Sequence, residues 1–275
     1  MSISTVRIAT WNVNSIRSRL HHLLDWLQGE NAPEIICLQE LKVEDASFPA
    51  MEIEALGYNI AIHGQKSYNG VGILSKFPLQ DVVCGLPDNA GDDQARYIEA
   101  LACADDKVLR VASVYVPNGN AVDSDKFQHK MRFFDALQTR MATLLDLEEI
   151  TVIGGDYNIA PYPIDVYDPK KLDGTVCYHP LEREKIRKIL HLGYYDAFRI
   201  EHPQKQEFSW WDYRAASWKM NHGMRIDHLL LSPMAVDCLV GCETLLDMRA
   251  AEKASDHAPV VCSLDVSTKK HSIAA

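Results

Sequence analysis

No stretch of about 18 apolar residues occurs in this 275-residue chain, which argues against a membrane-spanning helix. The amino terminus reaches Arg7, Trp11 and Asn12 without an apolar segment or a small-residue cleavage site. No secretory leader is therefore expected, and the expected location is the cytoplasm. The seven cysteines (Cys37, Cys84, Cys103, Cys177, Cys238, Cys242 and Cys262) are odd in number and never spaced as CxxC, and several sit inside apolar runs. That pattern speaks against a disulfide framework or a thiolate zinc site and suits a reducing compartment. A linker rich in Gly, Ser or Pro is missing, as is an internal repeat, so one domain over 1–275 is expected, with its core at about 6–265 and a frayed tail after Val266. There is no GxxxxGK loop either; Gly154-Gly155 reads as backbone freedom beside a crowded site, not as a nucleotide cradle.

Positive charge is also short. With 28 Lys and Arg against 38 Asp and Glu, the formal charge is −10, which argues superficially against a nucleic-acid partner. Binding depends on the local field, however. Arg17, Arg19, Lys42, Lys66, Arg96, Lys126, Lys130, Lys170, Lys171, Arg214, Lys219 and Arg225 recur in segments that read as polar loops, and on one face they would hold an anionic polymer.

What is present is an ordinary globular composition, 47% hydrophobic and 24% charged. Apolar or β-branched runs predict strands at Val6–Thr10, Ile35–Gln39, Tyr58–His63, Val71–Ser75, Tyr97–Cys103, Leu109–Val116, Ile150–Ile153, Ile226–Leu231 and Pro259–Leu264. Helical spacing predicts helices over Ser15–Leu27, Ser124–Leu147 and Leu181–Leu192. Asp88–Gln94 and Pro161–Tyr178 read as site-forming loops. Two sheets between outer helices is the arrangement these runs support.

Polar residues repeatedly terminate those strands. Asn12 and Asn14 follow the first, Glu40 the second, and Tyr115 closes Ser113-Val114-Tyr115. Asp156 and Asn158 follow the strand at Ile150–Ile153, Asp227 follows Arg225-Ile226, and Asp256 and His257 precede the last strand. Strand ends hold side chains rigidly, as a catalytic site requires. A carboxylate, an amide and an imidazole together suit hydrolysis of a phosphate ester: the first takes a proton from water, the second orients that water, and the third faces developing charge. A hard cation such as Mg²⁺ needs only one or two carboxylates beside a phosphate, and Glu40 is the leading ligand candidate, helped by Asn12. Asp227 is the candidate to orient His257. His222 and His228 near Asp227 superficially suggest another metal site, but His222 falls in a polar loop and is expected in solvent.

Trp11-Asn12-Val13-Asn14, Leu38-Gln39-Glu40, Tyr68-Asn69-Gly70-Val71, Val114-Tyr115-Val116-Pro117-Asn118, Gly155-Asp156-Tyr157-Asn158, Ser209-Trp210-Trp211-Asp212-Tyr213-Arg214, Arg225-Ile226-Asp227 and Ser255-Asp256-His257 follow one another in this order. The set resembles the exonuclease III and abasic-site (AP) endonuclease family of the endonuclease/exonuclease/phosphatase superfamily, over roughly Val6 to Leu264. The resemblance implies a DNase I-like four-layered α/β sandwich, two packed mixed sheets flanked by helices, with a site in a cleft at one end. It implies a Mg²⁺- or Mn²⁺-dependent enzyme, expected to be monomeric, that hydrolyses phosphodiesters in duplex DNA carrying abasic sites, nicks or blocked 3′ ends. By the same resemblance Glu40 would bind metal with Asn12 and Asp256, while Asn14 stands where a relative carries Asp. Asp156 would activate water, Asn158 would steady the phosphate, His257 with Asp227 would stabilise the transition state, and Tyr115 would assist near the leaving group. Asn69, Arg96, Trp210, Met224 and Ile226 would contact substrate, the last three as an apolar pocket for a flipped abasic sugar; Trp211 is expected in the core.

Two other functions compete: a phosphoesterase of the same superfamily acting on inositol phosphates, sphingomyelin or RNA, and a non-catalytic binding relative. The WWDYR run and the chain length argue against the first, and the intact GDxN and SDH runs argue against the second. Within the DNA branch, a predominantly 3′-exonuclease and 3′-phosphatase activity with weak AP endonuclease activity is the remaining alternative.

Overall fold

The computed structural model describes residues 5–87, 92–104 and 107–267. Residues 88–91 of the Asp88–Gln94 segment and 268–275 of the expected tail lie outside the described residues. In chain order the strands are β1 (Thr5–Asn12), β2 (Ile35–Gln39), β3 (Asn59–His63), β4 (Val71–Ser75), β5 (Leu79–Cys84), β6 (Tyr97–Ala104), β7 (Lys107–Tyr115), β8 (Ile150–Asp156), β9 (Tyr195–Asp196), β10 (Asp227–Leu231), β11 (Leu239–Thr244) and β12 (Val260–Asp265). The helices are α1 (Ile16–Gln28), α2 (Ala50–Glu54), α3 (Asp125–Leu145), α4 (Pro169–Leu172), α5 (Pro180–Leu192), α6 (Ala197–Glu201), α7 (Pro233–Val236) and α8 (Leu246–Ala250). None is long and apolar enough to cross a membrane.

Two six-stranded sheets result, ordered β11-β12-β1-β2-β4-β3 and β5-β6-β7-β8-β10-β9. Each has one parallel pair at its centre, β1 with β2 and β7 with β8, flanked by antiparallel partners. Alternation along the strands divides the apolar residues between two faces. Val6, Ile8, Ile35, Ile73, Leu109, Val111, Val152, Leu229, Cys262 and Leu264 fill the space between the sheets. Ala9, Trp11, Ile36 and Leu38 face outward against Ile16, Leu23 and Leu27 of α1. On the other outer face, Ala112, Val114 and Ile153 meet Phe134, Leu137 and Met141 of α3 and Ile186 and Ile189 of α5. These are the four layers of the expected sandwich. α3 starts where Ser124 accepts a hydrogen bond from the Phe127 N–H, and α5 where His179 and Glu182 form a reciprocal cap with Pro180 in the first turn.

Strands β5, β9 and β11 are absent from the runs read above, and each lies at the edge of its sheet. Edge strands bury only part of one face; β5 is exposed at Gln80, Asp81, Val82 and Cys84, so no continuous apolar run betrays it.

Candidate active site

The carboxyl ends of β1, β2, β7 and β8 all open on one end of the sandwich, where parallel pairs habitually build sites. The inward-facing row of each strand changes character as it approaches that end. Ile8 gives way to Thr10 and Asn12, Cys37 to Gln39, Val111 to Ser113 and Tyr115, and Val152 to Gly154 and Asp156. Just below the cleft, Gln39 Nε2 donates to Thr10 Oγ1 at 3.1 Å and to Ser113 Oγ at 2.9 Å, so one buried amide ties the two sheets together. In register, Tyr115 lies beside Asp156 and Asp156 beside Asp227, which puts three residues distant in sequence on adjacent strands.

Asn12 is the hub between the sheets. Its Nδ2 donates to Glu40 Oε1 at 2.8 Å and to Asp156 Oδ2 at 2.9 Å, and its Oδ1 accepts from the Asn14 N–H. Asp156 also accepts from the Asn158 N–H (2.9 Å) and from Asn158 Nδ2 (3.3 Å). The carboxylate of Asp227 meets His257 Nδ1 at 2.8 Å and accepts from Ser209 Oγ at 2.6 Å. His257 Nε2 is thereby turned toward Asp156 Oδ2, 3.8 Å away. Asp256 accepts from Asn14 Nδ2 at 2.9 Å and from the Trp210 indole N–H at 3.0 Å.

Charge is distributed unequally among these groups. Burial raises the proton affinity of Glu40, but the Lys42 ammonium 2.8 Å away and the Asn12 amide outweigh it, and the carboxyl is held below its usual range. Burial pushes Asp156 up to about 7; His257 opposes the shift, while Asp227 and Glu40 reinforce it. Burial alone would lower His257, yet Asp227 and Asp156 hold it up at about 10, favouring the charged imidazole. Tyr115, pushed well up by burial and by Glu40 and Asp156, keeps its O–H.

Glu40, Asp156 and His257 bring ligand atoms within 4.8 Å of one another, the one such group among the described residues. Its carboxylate oxygens, from Glu40 and Asp156, fit a hard divalent cation, whereas Asp256, expected as a ligand, lies outside this group and accepts from Asn14 and Trp210.

The cleft, about 250 Å³, is lined by Glu40, Tyr115, Asn118, Asp156, Asn158, Cys177, Trp210, Ile226, Asp256 and His257. Asn12 and Asp227 stand behind these, buried. Met224 lies behind the wall, bridging Val166 and Trp210, and Trp211 is buried against Phe208 and Ala258. Asn69 and Arg96 line an adjoining groove of about 550 Å³ that shares Tyr115 and Asn118 with the cleft, and the Arg96 guanidinium lies 4.7 Å from the centroid of the Tyr115 ring.

Some expectations require correction. Lys130 and Arg225, read as loop cations, are buried and paired, Lys130 with Glu182 and Arg225 with Asp165 and Asp196. His222 is half-buried and stacks on Tyr167 with centroids 4.4 Å apart. The sequence reading missed Ser209, Lys42 and Asn118 as members of the site; Asn118 Nδ2 donates to Asn158 Oδ1 at 2.9 Å. Lys42 was read only as one of the recurring cations, and Ser209 and Asn118 only as members of the runs around Trp210 and Tyr115.

Known proteins with this arrangement are readily found. Residues 9–257 match the Endonuclease/Exonuclease/phosphatase family. Exodeoxyribonuclease III of Haemophilus influenzae is 34% identical over 263 residues, 93% of this chain and 98% of that protein. The structure of the 3′ phosphatase NExo from Neisseria bound to a product DNA hairpin superimposes with a TM-score of 0.91 at 39% identity, covering 94% of this chain and 99% of that one. An AP endonuclease from Archaeoglobus fulgidus does so with a TM-score of 0.89, also at 39% identity, covering 95% and 100%. The chain belongs to the endonuclease/exonuclease/phosphatase family and, within it, to the exodeoxyribonuclease III and AP endonuclease group.

Proposed function

We propose that the protein is a divalent-metal-dependent DNA-repair nuclease, acting as a monomer on duplex DNA at abasic sites, nicks and blocked 3′ ends. The observation that carries this reading is the meeting of Glu40, Asp156 and His257 within 4.8 Å in one cleft.

Glu40, held by Asn12 and beside Asp156, would hold Mg²⁺ or Mn²⁺, whose charge would offset that of the phosphate and the leaving oxygen. Asp156, with a proton affinity matched to neutral pH, takes the proton from the attacking water. His257, held by Asp227 and raised in proton affinity by the carboxylates beside it, faces the charge that builds on phosphate oxygen. Asn158 keeps the Asp156 carboxylate in place and steadies the phosphate. Tyr115, an O–H donor at the same end of the cleft, assists at the leaving group.

Three substrates test the reading in the presence of Mg²⁺: a duplex with an internal abasic site, a duplex nicked with a 3′ phosphate, and a phosphoinositide. Turnover is expected on DNA and not on the lipid. Asp156→Asn is expected to lower kcat on the order of a thousandfold with DNA binding retained. Comparable turnover by that variant, or preference for the phosphoinositide, refutes the reading.

A second reading, in which 3′-end removal predominates over abasic incision, is favoured by the name of the Neisseria relative and by the unbranched Met224 behind the pocket wall, which suits varied 3′ ends. The ratio of the two DNA rates decides between them.

A further inference from the structure

Lys130 lies on α3 one turn from Phe127 and from Phe134, on the face the helix buries, and no part of its side chain reaches solvent. Burying an ammonium is costly unless its donors are all met, and replacing a buried ion pair by apolar residues is often neutral or stabilising. Something other than stability is therefore the better explanation for a lysine here. Its three N–H groups have three acceptors: a carboxylate oxygen of Glu182, the Asn158 carbonyl at 2.8 Å and the Asn118 carbonyl at 3.1 Å. Those carbonyls belong to the loops that leave β7 and β8, and both are residues whose side chains line the cleft.

The ammonium thus ties the two loops through their main-chain carbonyls, while the Asn158 side chain ties them a second time, accepting from Asn118 Nδ2 at 2.9 Å and donating to the Val116 carbonyl at 3.0 Å. Asn158 itself holds a positive φ of 51°, and Gly119 turns at φ 93° directly over the lysine stem, where a Cβ would come within 3.3 Å of Lys130 Cδ. Glu182 anchors the assembly to α5, because its other oxygen accepts from the His179 N–H at 2.9 Å.

We propose that Lys130 is a positioning residue for phosphodiester hydrolysis: through two main-chain carbonyls it sets the spacing of Asn118 and Asn158, and through Asn158 the orientation of the Asp156 carboxylate. The role rests on the nuclease reading above. Wild-type turnover of the nicked 3′-phosphate duplex is the control that separates the two: no turnover by the wild type sinks that reading, whatever the variants do.

The test is a double-mutant cycle on kcat, with KM and Tm recorded for each protein. Lys130→Met is expected to lower kcat about a hundredfold and to move KM by less than about threefold. In an Asn158→Ala background the same substitution is expected to cost less than about threefold, since the side-chain amide that carries the loop spacing to Asn118 and Asp156 is already gone. Where Lys130→Met leaves Glu182 unpaired and the protein fails to fold, Lys130→Met/Glu182→Gln, which buries no lone charge, takes its place in both backgrounds. A folded variant with kcat within about twofold of wild type overturns the proposal, as does a loss that multiplies in full on top of Asn158→Ala.

Discussion

At Asp156 the cost of burial is visible in the chemistry. Its carboxyl has an ordinary value of 3.8 and rises to about 7 in the fold. A group whose folded value lies above its unfolded value binds protons in the native state that the unfolded chain has released, so its contribution to stability declines as pH rises across that interval. A cation seated beside it favours the ionised form and recovers the loss. Saturating Mg²⁺ is therefore expected to raise Tm by about 5 °C near pH 8 and by less than half of that near pH 5.5, on a scale where about 2.7 kcal/mol accompanies a hundredfold excess over Kd. In Asp156→Asn the two shifts are expected to be nearly equal, because no proton is displaced. Equal shifts in the wild type, read by thermal melting, would exclude the displacement. That Asp156, Glu40 and His257 belong to the site was legible in the residues themselves, since each terminates or precedes an apolar strand. Which donor faces which acceptor was not. Ser209 and Lys42 hold Asp227 and Glu40 through contacts 18 residues and 2 residues away in sequence, and nothing in the type of either residue announces the contact. Lys130 did carry a signal that was overlooked: a charged residue at an apolar-face position of a helix, one turn from Phe127 and from Phe134.

Among the elements, the strands that build the site were read well because they are the most buried. β2, β4 and β10 are buried at every residue and appear in sequence as short apolar runs, polar only at Gln39, Ser75 and Asp227-His228 at their ends. The edge strands β5, β9 and β11 and the four- and five-residue helices carry no such run and escaped notice. The pairing of β7 with β8 shows how tightly an element can constrain a site. A Cβ added to Gly155 would lie 2.1 Å from the Val114 carbonyl oxygen, in the outward row directly beside the residue before Tyr115. No rotamer relieves a clash with main chain, so the strands must part. Gly155→Ala is expected to cost about 3 kcal/mol and to lower Tm by about 6 °C or more. Because the parted strands carry Tyr115 and Asp156, kcat should fall with it even at temperatures where the variant is fully folded. A variant that melts with the wild type would show that the strand pair is more compliant than its close packing implies.

On the scale of the whole molecule the difficulty is charge: a chain at −10 must approach a polyanion. The sequence left this open, and burial resolves part of it, since Lys130 and Arg225 are removed from any surface field. Among the exposed cations, Lys126 lines the groove beside the cleft and Lys66 lies in the segment between Gln65 and Tyr68, both of which line the same groove. Arg214, by contrast, is spent on Asp212 at 2.7 Å. Counterion release makes affinity depend on how many phosphates are neutralised locally, whatever the net charge. About four such contacts give a slope near −4 in a plot of log affinity against log salt, a loss on the order of a hundredfold between about 50 and 200 mM. Measured with Asp156→Asn to prevent turnover, replacement of Lys66 and Lys126 by Gln should reduce the slope by about 2, while Arg214→Gln should leave it nearly unchanged, because that charge is already paired. A response independent of salt would mean that the cleft meets its substrate without neutralising the backbone, and a duplex partner would no longer be tenable.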